Sequence, residues 1–265
     1  MKAVWLVCLI CLVRIGGVCQ SPLLVELEKE GLISGRAVQQ LADHTASLKK
    51  KSARNDHVFL YRLFWSTRHT FLKNYTDNTS LQVLFEGGDY DCLTATTLYA
   101  LMLQEFGYQF RIVETNYHIL LIATTSKGEV LLETTDPFNG FVESQNEIER
   151  RLKYYQENLL ASAAVSDNQY MFKQEIFFET HPRYLVNLLY FNQAVSSFNH
   201  QQWLQSGQLL LKAQENYSSP RIAELAALLV QTVLTLDSIK DAERQFILTH
   251  FRDEWLENKL LVSSR

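Results

Sequence analysis

The chain has 265 residues, four cysteines and a formal net charge of −4. Three of the cysteines lie in the first nineteen residues, where Lys2 is followed by the apolar run 3–13 and then by small residues. This pattern is typical of a secretory signal peptide, so we expect residues 1–19 to be removed on export. No other stretch is apolar for long enough to predict a membrane span.

Without residues 1–19 the chain keeps 246 residues, a net charge of −6 and a single cysteine, Cys92. One cysteine excludes a scaffold held together by disulfides. The acidic balance argues against a nucleic-acid-binding protein. We expect a secreted or periplasmic protein, and lipidation at Cys19 is the less favoured alternative because Val18 fits that signal poorly.

The predicted elements are helices, then a small sheet, then helices again. Apolar spacing predicts helices from 23 to about 84 and a further helix that ends at Gly107. Three strand-like runs follow, and the chain from Arg183 onward has a helical pattern. The runs are 110–114, 117–124 and 129–133. The predicted fold class is α+β, with a core at 20–165 that includes the N-terminal helices and a helical region at 166–265.

Cys92 follows a glycine loop and lies at the predicted start of a helix, which Asp89 or Asp91 can cap. The unpaired amides at a helix N-terminus favour a thiolate and can stabilise an oxyanion on an attacked carbonyl. The two aspartates oppose the thiolate because negative charge disfavours it. A catalytic Cys92 therefore needs a cationic partner.

His118 and Asp136 are the candidate partners of Cys92. A three-residue turn at 126–128, with Gly128 in the left-handed region, would place Asp136 directly across a hairpin from His118. A two-residue turn would shift that pairing by one position. We predict Cys92 as the nucleophile, His118 as base and counter-ion, and Asp136 as the residue that orients the imidazole. The structural alternatives are a packed thiol, a structural histidine and a turn-forming aspartate.

The segments 88–92, 117–118 and 133–140 resemble the nucleophile, histidine and aspartate segments of the transglutaminase-like superfamily. The resemblance covers about residues 57–142 and matches in order and spacing. It implies a papain-like Cys-His-Asp core and activities that include transglutamination, peptide hydrolysis and other acyl transfer. It also implies that some members serve only as binding or scaffold modules. For the family's additional oxyanion donor, Gln82 is a candidate.

The C-terminal region contains a pattern of small and aromatic residues that resembles a tetratricopeptide helix pair. The residues are Ala194, Phe198, Trp203, Ser206, Leu210 and Ala213, followed by Pro220. An ordinary helical hairpin explains the pattern equally well. A transglutaminase-like core followed by such helices is an arrangement known in one branch of the superfamily, and the helices would offer a surface for a protein partner.

We therefore predict an exported cysteine enzyme that acts on amide or peptide carbonyls through a thioester, by hydrolysis or acyl transfer. Its substrate would be a protein or peptide, and we expect no cofactor and no nucleic-acid partner. A metal site is not expected because the remaining histidines lack close ligand spacing. The alternative is a non-catalytic binding or scaffold module with the same fold and a relic triad.

Overall fold

The computed structural model describes residues 21–51, 55–115, 118–157 and 176–263. The predicted signal peptide, the lipidation alternative at Cys19, and Tyr117 of the predicted histidine segment lie outside these ranges. The same is true of residues 166–175, with which the predicted helical region begins. The described residues form an α+β fold, as predicted.

The described residues contain helices before, within and after a small sheet. The helices are α1 (Pro22–Lys29), α2 (Gly35–Lys50), α3 (Asp56–Phe71), α4 (Leu81–Gly87), α5 (Cys92–Glu105), α6 (Gln145–Glu157), α7 (Leu185–Asn199), α8 (Trp203–Gln214), α9 (Pro220–Thr235) and α10 (Asp241–Ser263). The strands are β1 (Asn74–Tyr75), β2 (Asp89–Tyr90), β3 (Phe110–Thr115), β4 (Ile119–Thr125), β5 (Gly128–Leu132), β6 (Phe141–Val142) and β7 (Phe177–Thr180).

The N-terminal helices begin where polar side chains can cap them. Ser21, Ser34, Asn55 and Ser80 each accept a hydrogen bond from a first-turn amide of the helix that follows. The prediction of helices from 23 to about 84 is confirmed, except that the chain between α3 and α4 contains β1. This strand pairs in parallel with β2, directly before the helix that starts at Cys92.

The main sheet has the strand order β6-β5-β4-β3-β7, and all of its neighbouring strands are antiparallel. A two-residue loop joins β4 to β5, so Thr125 pairs with Gly128. The predicted three-residue turn is therefore wrong, although Gly128 does have a positive φ of 117°. A one-residue change of register matters because it moves every side chain to the other face of the sheet.

The fifth strand of the sheet comes from the C-terminal half of the chain. Strand β7 pairs with β3, with Ile112 opposite Thr180. The region predicted as helical from 166 onward thus contributes a strand to the sheet, and a boundary after residue 165 does not separate sheet from helices. A strand of four residues, whose partner strand is distant in the sequence, has too little local periodicity to be predicted from the sequence.

The sheet has a different apolar cluster on each face. On one face, Leu121 and Ala123 join the main core with α5, where Tyr99 donates to the carbonyl of Phe64 at 2.7 Å. On the other face, Leu120 and Ile148 belong to a smaller cluster beneath α6. Alternate residues of β4 therefore pack against different helices, as the two-residue period of a strand requires.

The C-terminal helices pack in the pairs α7–α8 and α9–α10. Ser206 donates to the carbonyl of Ala194 at 2.9 Å, and the Phe198 and Trp203 rings meet edge to face with centroids 5.2 Å apart. The predicted helical hairpin is confirmed, while its assignment to the tetratricopeptide repeats stays a prediction. Among the described helices, none has the length and apolarity needed to cross a membrane.

Candidate active site

Cys92 is the first residue of α5, as the sequence predicts. Asp91 is its N-cap, and Asp91 and Thr94 form a reciprocal capping box that defines where the helix begins. The Cys92 side chain is half-buried. Its amide lies in the first turn, where N–H groups have no acceptor within the helix and are available to a bound oxygen.

The carboxylate of Asp91 is buried and held by several donors. It accepts hydrogen bonds from the Thr94 amide at 2.7 Å, the Thr79 amide at 3.1 Å and the Asn192 side chain at 2.8 Å. Burial raises the pKa of Asp91, and the hydrogen bonds from Thr94 and Thr79 act in the opposite direction. The helix that carries Cys92 is thereby fixed to the preceding loop and to α7.

His118 lies directly before β4 and contacts both Cys92 and a carboxylate. Its Nε2 atom is 2.8 Å from each carboxylate oxygen of Glu133. Because a carboxylate can only accept, Nε2 carries the hydrogen, and Nδ1 is the ring nitrogen left to interact with Cys92, which raises the pKa of His118. The backbone of His118 is also fixed, since its amide donates to Thr115 Oγ1 at 3.0 Å.

The carboxylate beside His118 is Glu133, whereas the sequence predicts Asp136 at this position. With Thr125 opposite Gly128, the register places Glu133 across from Leu120, on the same face as His118 and diagonal to it. In the predicted register, shifted by one residue, Glu133 would point to the opposite face. The difference in turn length therefore places Glu133, instead of Asp136, next to His118.

Asp136 is occupied in a turn beyond the strand. Its Oδ1 accepts hydrogen bonds from the amides of Phe138 and Asn139, at 3.0 and 2.8 Å. Its Oδ2 lies 3.5 Å from Arg151. These contacts match the structural alternative, in which an aspartate before a proline shapes a turn.

Glu133 receives further hydrogen bonds from residues that no sequence motif marks as functional. The Tyr155 hydroxyl donates to Oε2 at 2.7 Å, and the Thr135 hydroxyl donates to Oε1 at 2.8 Å. The Tyr155 ring also lies against His118, with centroids 5.1 Å apart. Tyr155 is part of the apolar stripe of α6, which does not distinguish a packed tyrosine from one that contacts a functional carboxylate.

Electrostatic interactions keep the His118–Glu133 pair charged despite its burial. Burial alone lowers the pKa of His118, but its interactions with Cys92 and Glu133 outweigh this effect and raise the pKa to about 10. Burial alone raises the pKa of Glu133, but the hydrogen bonds and charge it receives, first from His118, lower it to about 2. His118 is therefore a cation at neutral pH, as a thiolate partner must be.

The backbone around Glu133 is closely confined. The Glu133 amide donates to the carbonyl of Gly140 at 2.7 Å, and Arg68 donates to the carbonyl of Thr134 at 2.9 Å. A Cβ atom at Gly140 would lie 2.3 Å from the Glu133 carbonyl oxygen, so only glycine fits there. Arg68 also donates to the Tyr90 hydroxyl at 3.2 Å, which connects this strand end to the chain that leads into Cys92.

Tyr75 and Gln82 are relevant to whether a side chain supplies an additional oxyanion donor. Tyr75 lies close enough to Cys92 and Asp91 that their negative charge raises the pKa of its hydroxyl, after the larger effect of burial. Gln82, the oxyanion candidate, instead donates to Glu86 at 3.0 Å on the exposed surface of α4. The structure therefore brings Cys92 and His118 together without assigning Gln82 to the site.

The described residues contain no group of three or more His, Cys, Asp or Glu side chains that could hold a metal ion. Comparisons with protein-family models, with curated proteins and with solved structures each found no match.

Proposed function

We propose that the protein is a cysteine enzyme that acts on amide or peptide carbonyls, with Cys92 as nucleophile, His118 as acid and base, and Glu133 as the residue that orients His118. The observation that carries the proposal is the 2.8 Å contact of His118 with Glu133, at a histidine whose pKa is raised by both Cys92 and Glu133. A packed thiol or a structural histidine does not require this arrangement, whereas nucleophilic catalysis does.

The chemistry follows from the positions of these groups. The Cys92 thiolate attacks the carbonyl carbon, and the amide of Cys92 at the start of α5 stabilises the resulting oxyanion. The imidazolium of His118 gives its proton to the leaving amine, and a thioester remains on Cys92. Neutral His118 then takes a proton from water or an acceptor amine, which attacks the thioester and releases the thiolate.

The family proposed for the chain is the transglutaminase-like superfamily, with tetratricopeptide-like C-terminal helices and a protein or peptide substrate. A nucleophile at a helix start, followed by a histidine and a carboxylate on neighbouring antiparallel strands, supports this proposal. The chain departs from the Cys-His-Asp pattern at one position, since Glu133 faces His118. The apolar segment near the N-terminus supports export to the periplasm or the cell exterior.

The proposal is tested by alkylation of Cys92 with iodoacetamide across pH. Without residues 1–19 the chain has no other cysteine, so the label reports this thiol alone. We expect rapid alkylation below neutral pH that slows in His118→Ala. The control is His69→Ala, which removes an exposed histidine whose ring bonds to the Trp65 carbonyl. A thiol that reacts only above about pH 8.5 and ignores His118 would contradict the proposal.

A binding or scaffold module is the second candidate, and one observation favours it. The buried carboxylate of Asp91 directly precedes Cys92, and a negative charge there disfavours a thiolate. In that case His118→Ala would leave the alkylation of Cys92 unchanged. The same titration therefore separates the two candidates.

A further inference from the structure

The C-terminal helices reach the two central residues of the proposed site separately. On the Cys92 side, Asn192 of α7 donates to Asp91 Oδ2 at 2.8 Å. Asp91 is 2% exposed and caps the helix that begins at Cys92. A side chain 101 residues further along the chain than Asp91 thus holds the carboxylate next to the nucleophile.

On the His118 side, the contact comes from α9 and the turn before it. Arg221 lies 3.0 Å from Glu114, a carboxylate that is 1% exposed, and Tyr217 donates to the same carboxylate at 2.7 Å. Arg221 also donates to the carbonyl of Thr115. Thr115 in turn bonds through its amide and hydroxyl to the backbone of His118, at 2.8 and 3.0 Å.

We propose that the C-terminal helices position the Cys92–His118 pair, with Asn192 acting through Asp91 and Arg221 acting through Thr115 as positioning residues. This inference rests on the proposed function, because it concerns the reactivity of the same thiol. The C-terminal helices would then position the residues of the site, in addition to offering a surface for a partner.

The effect of Asn192 on Cys92 has a definite sign. Its amide directs the positive end of a dipole at Asp91 Oδ2 and so offsets the negative charge beside the thiol. Without this donor, more of the field of Asp91 acts on Cys92, and the thiolate is disfavoured. The Thr94 and Thr79 amides still hold the carboxylate, so α5 keeps its cap.

The effect of Arg221 is geometric. Arg221→Lys keeps a positive charge opposite Glu114, which avoids leaving a buried carboxylate unpaired. A lysine lacks the planar fork that reaches Glu114 and the Thr115 carbonyl together. The anchor of His118 is then looser, and fewer molecules hold the ring in position for Cys92.

The experiment compares Cys92 alkylation across pH in Asn192→Ala, Arg221→Lys and the control Gln193→Ala, the half-buried neighbour of Asn192 on α7. All are made in the chain lacking residues 1–19, and thermal unfolding verifies that each is folded. For Asn192→Ala we expect the rate profile to move to higher pH, with about a tenfold loss of rate below neutral pH. For Arg221→Lys we expect about a fivefold loss at neutral pH.

Two results would overturn the inference. One is an Asn192→Ala profile that superimposes on that of Gln193→Ala or moves to lower pH, and the other is an Arg221→Lys rate equal to that of the control. Failure of the proposed function is recognised separately, because alkylation would then be insensitive to His118→Ala in the otherwise unchanged chain. A folded variant with only a structural defect would lower its melting temperature without moving the pH profile.

Discussion

Glu133→Gln tests which carboxylate serves His118. The substitution keeps the shape of the side chain and one acceptor oxygen, but it removes the charge that lies 2.8 Å from His118 Nε2. An opposite charge at such a distance stabilises an ionised group by about 1.4–4 kcal/mol. The upper part of that range applies because Glu133 is only 3% exposed and solvent screens it little. We therefore expect the imidazolium–thiolate pair to become about a hundredfold or more less populated at neutral pH.

The matched control is Asp136→Asn. Asparagine keeps the acceptor for the amides of Phe138 and Asn139, so the turn is preserved. The substitution loses only the contact with Arg151 at 3.5 Å, and a partly exposed pair of this kind contributes about 0–1 kcal/mol. We expect the reactivity of Cys92 to stay within about twofold of the wild type.

The assay measures the alkylation rate of Cys92 from about pH 5 to about pH 9, together with thermal unfolding. Glu133→Gln should lower the rate below neutral pH and destabilise the fold by about 2–3 kcal/mol, because a buried ring loses its charged partner. Asp136→Asn should do neither. A larger loss of rate in Asp136→Asn than in Glu133→Gln would refute the assignment of Glu133 and support the prediction made from the sequence.

Three further predictions concern the surroundings of this pair. Tyr155→Phe removes the hydroxyl 2.7 Å from Glu133 but keeps the ring beside His118, so chemical denaturation should report a loss of about 1–2 kcal/mol. Gly140→Ala should destabilise the protein strongly and slow the alkylation of Cys92, because the Cβ atom of the alanine would lie 2.3 Å from the Glu133 carbonyl oxygen. Gly87→Ala is the control: the space around Gly87 is open, so this substitution should be neutral or stabilising. The depressed pKa of Glu133, about 2, contributes stability above about pH 4.5 that is lost as pH falls. The raised pKa of His118, about 10, contributes stability below about pH 6.5 that is lost as pH rises. Denaturant titrations should therefore find the contribution of the pair to the free energy of unfolding largest between about pH 4.5 and about pH 6.5. A Glu133→Gln protein with unchanged pH dependence would contradict this.

The start of the nucleophile helix was predictable because its signals are local. A positive φ at Gly88 and an aspartate at the cap position are encoded within a few residues of Cys92. His118 was recognisable because a polar ring in an apolar strand lacks a packing reason. These residues define two of the three members of the proposed triad.

The third member was not predictable, because it depends on how two strands align. A positive φ at Gly128 is compatible with both a two-residue and a three-residue turn, and the two give opposite faces to Glu133. Choosing between them needs the side chains that pack on each face, such as Tyr155 beneath Glu133. The contacts of Asn192 and Arg221 are likewise tertiary, and no spacing in the sequence marks them.

Strand β7 affects whether the first part of the chain can be produced without the C-terminal half. It pairs with β3, which is separated from it by the hairpin, the α6 helix and the segment that follows. Until residues 177–180 are available, the outer edge of β3 has no partner strand from the described residues, and such an edge can recruit other chains. A fragment that stops at 165 would keep all three residues of the proposed triad and yet expose this edge. We therefore expect aggregation to be the main obstacle to producing the triad without the C-terminal half.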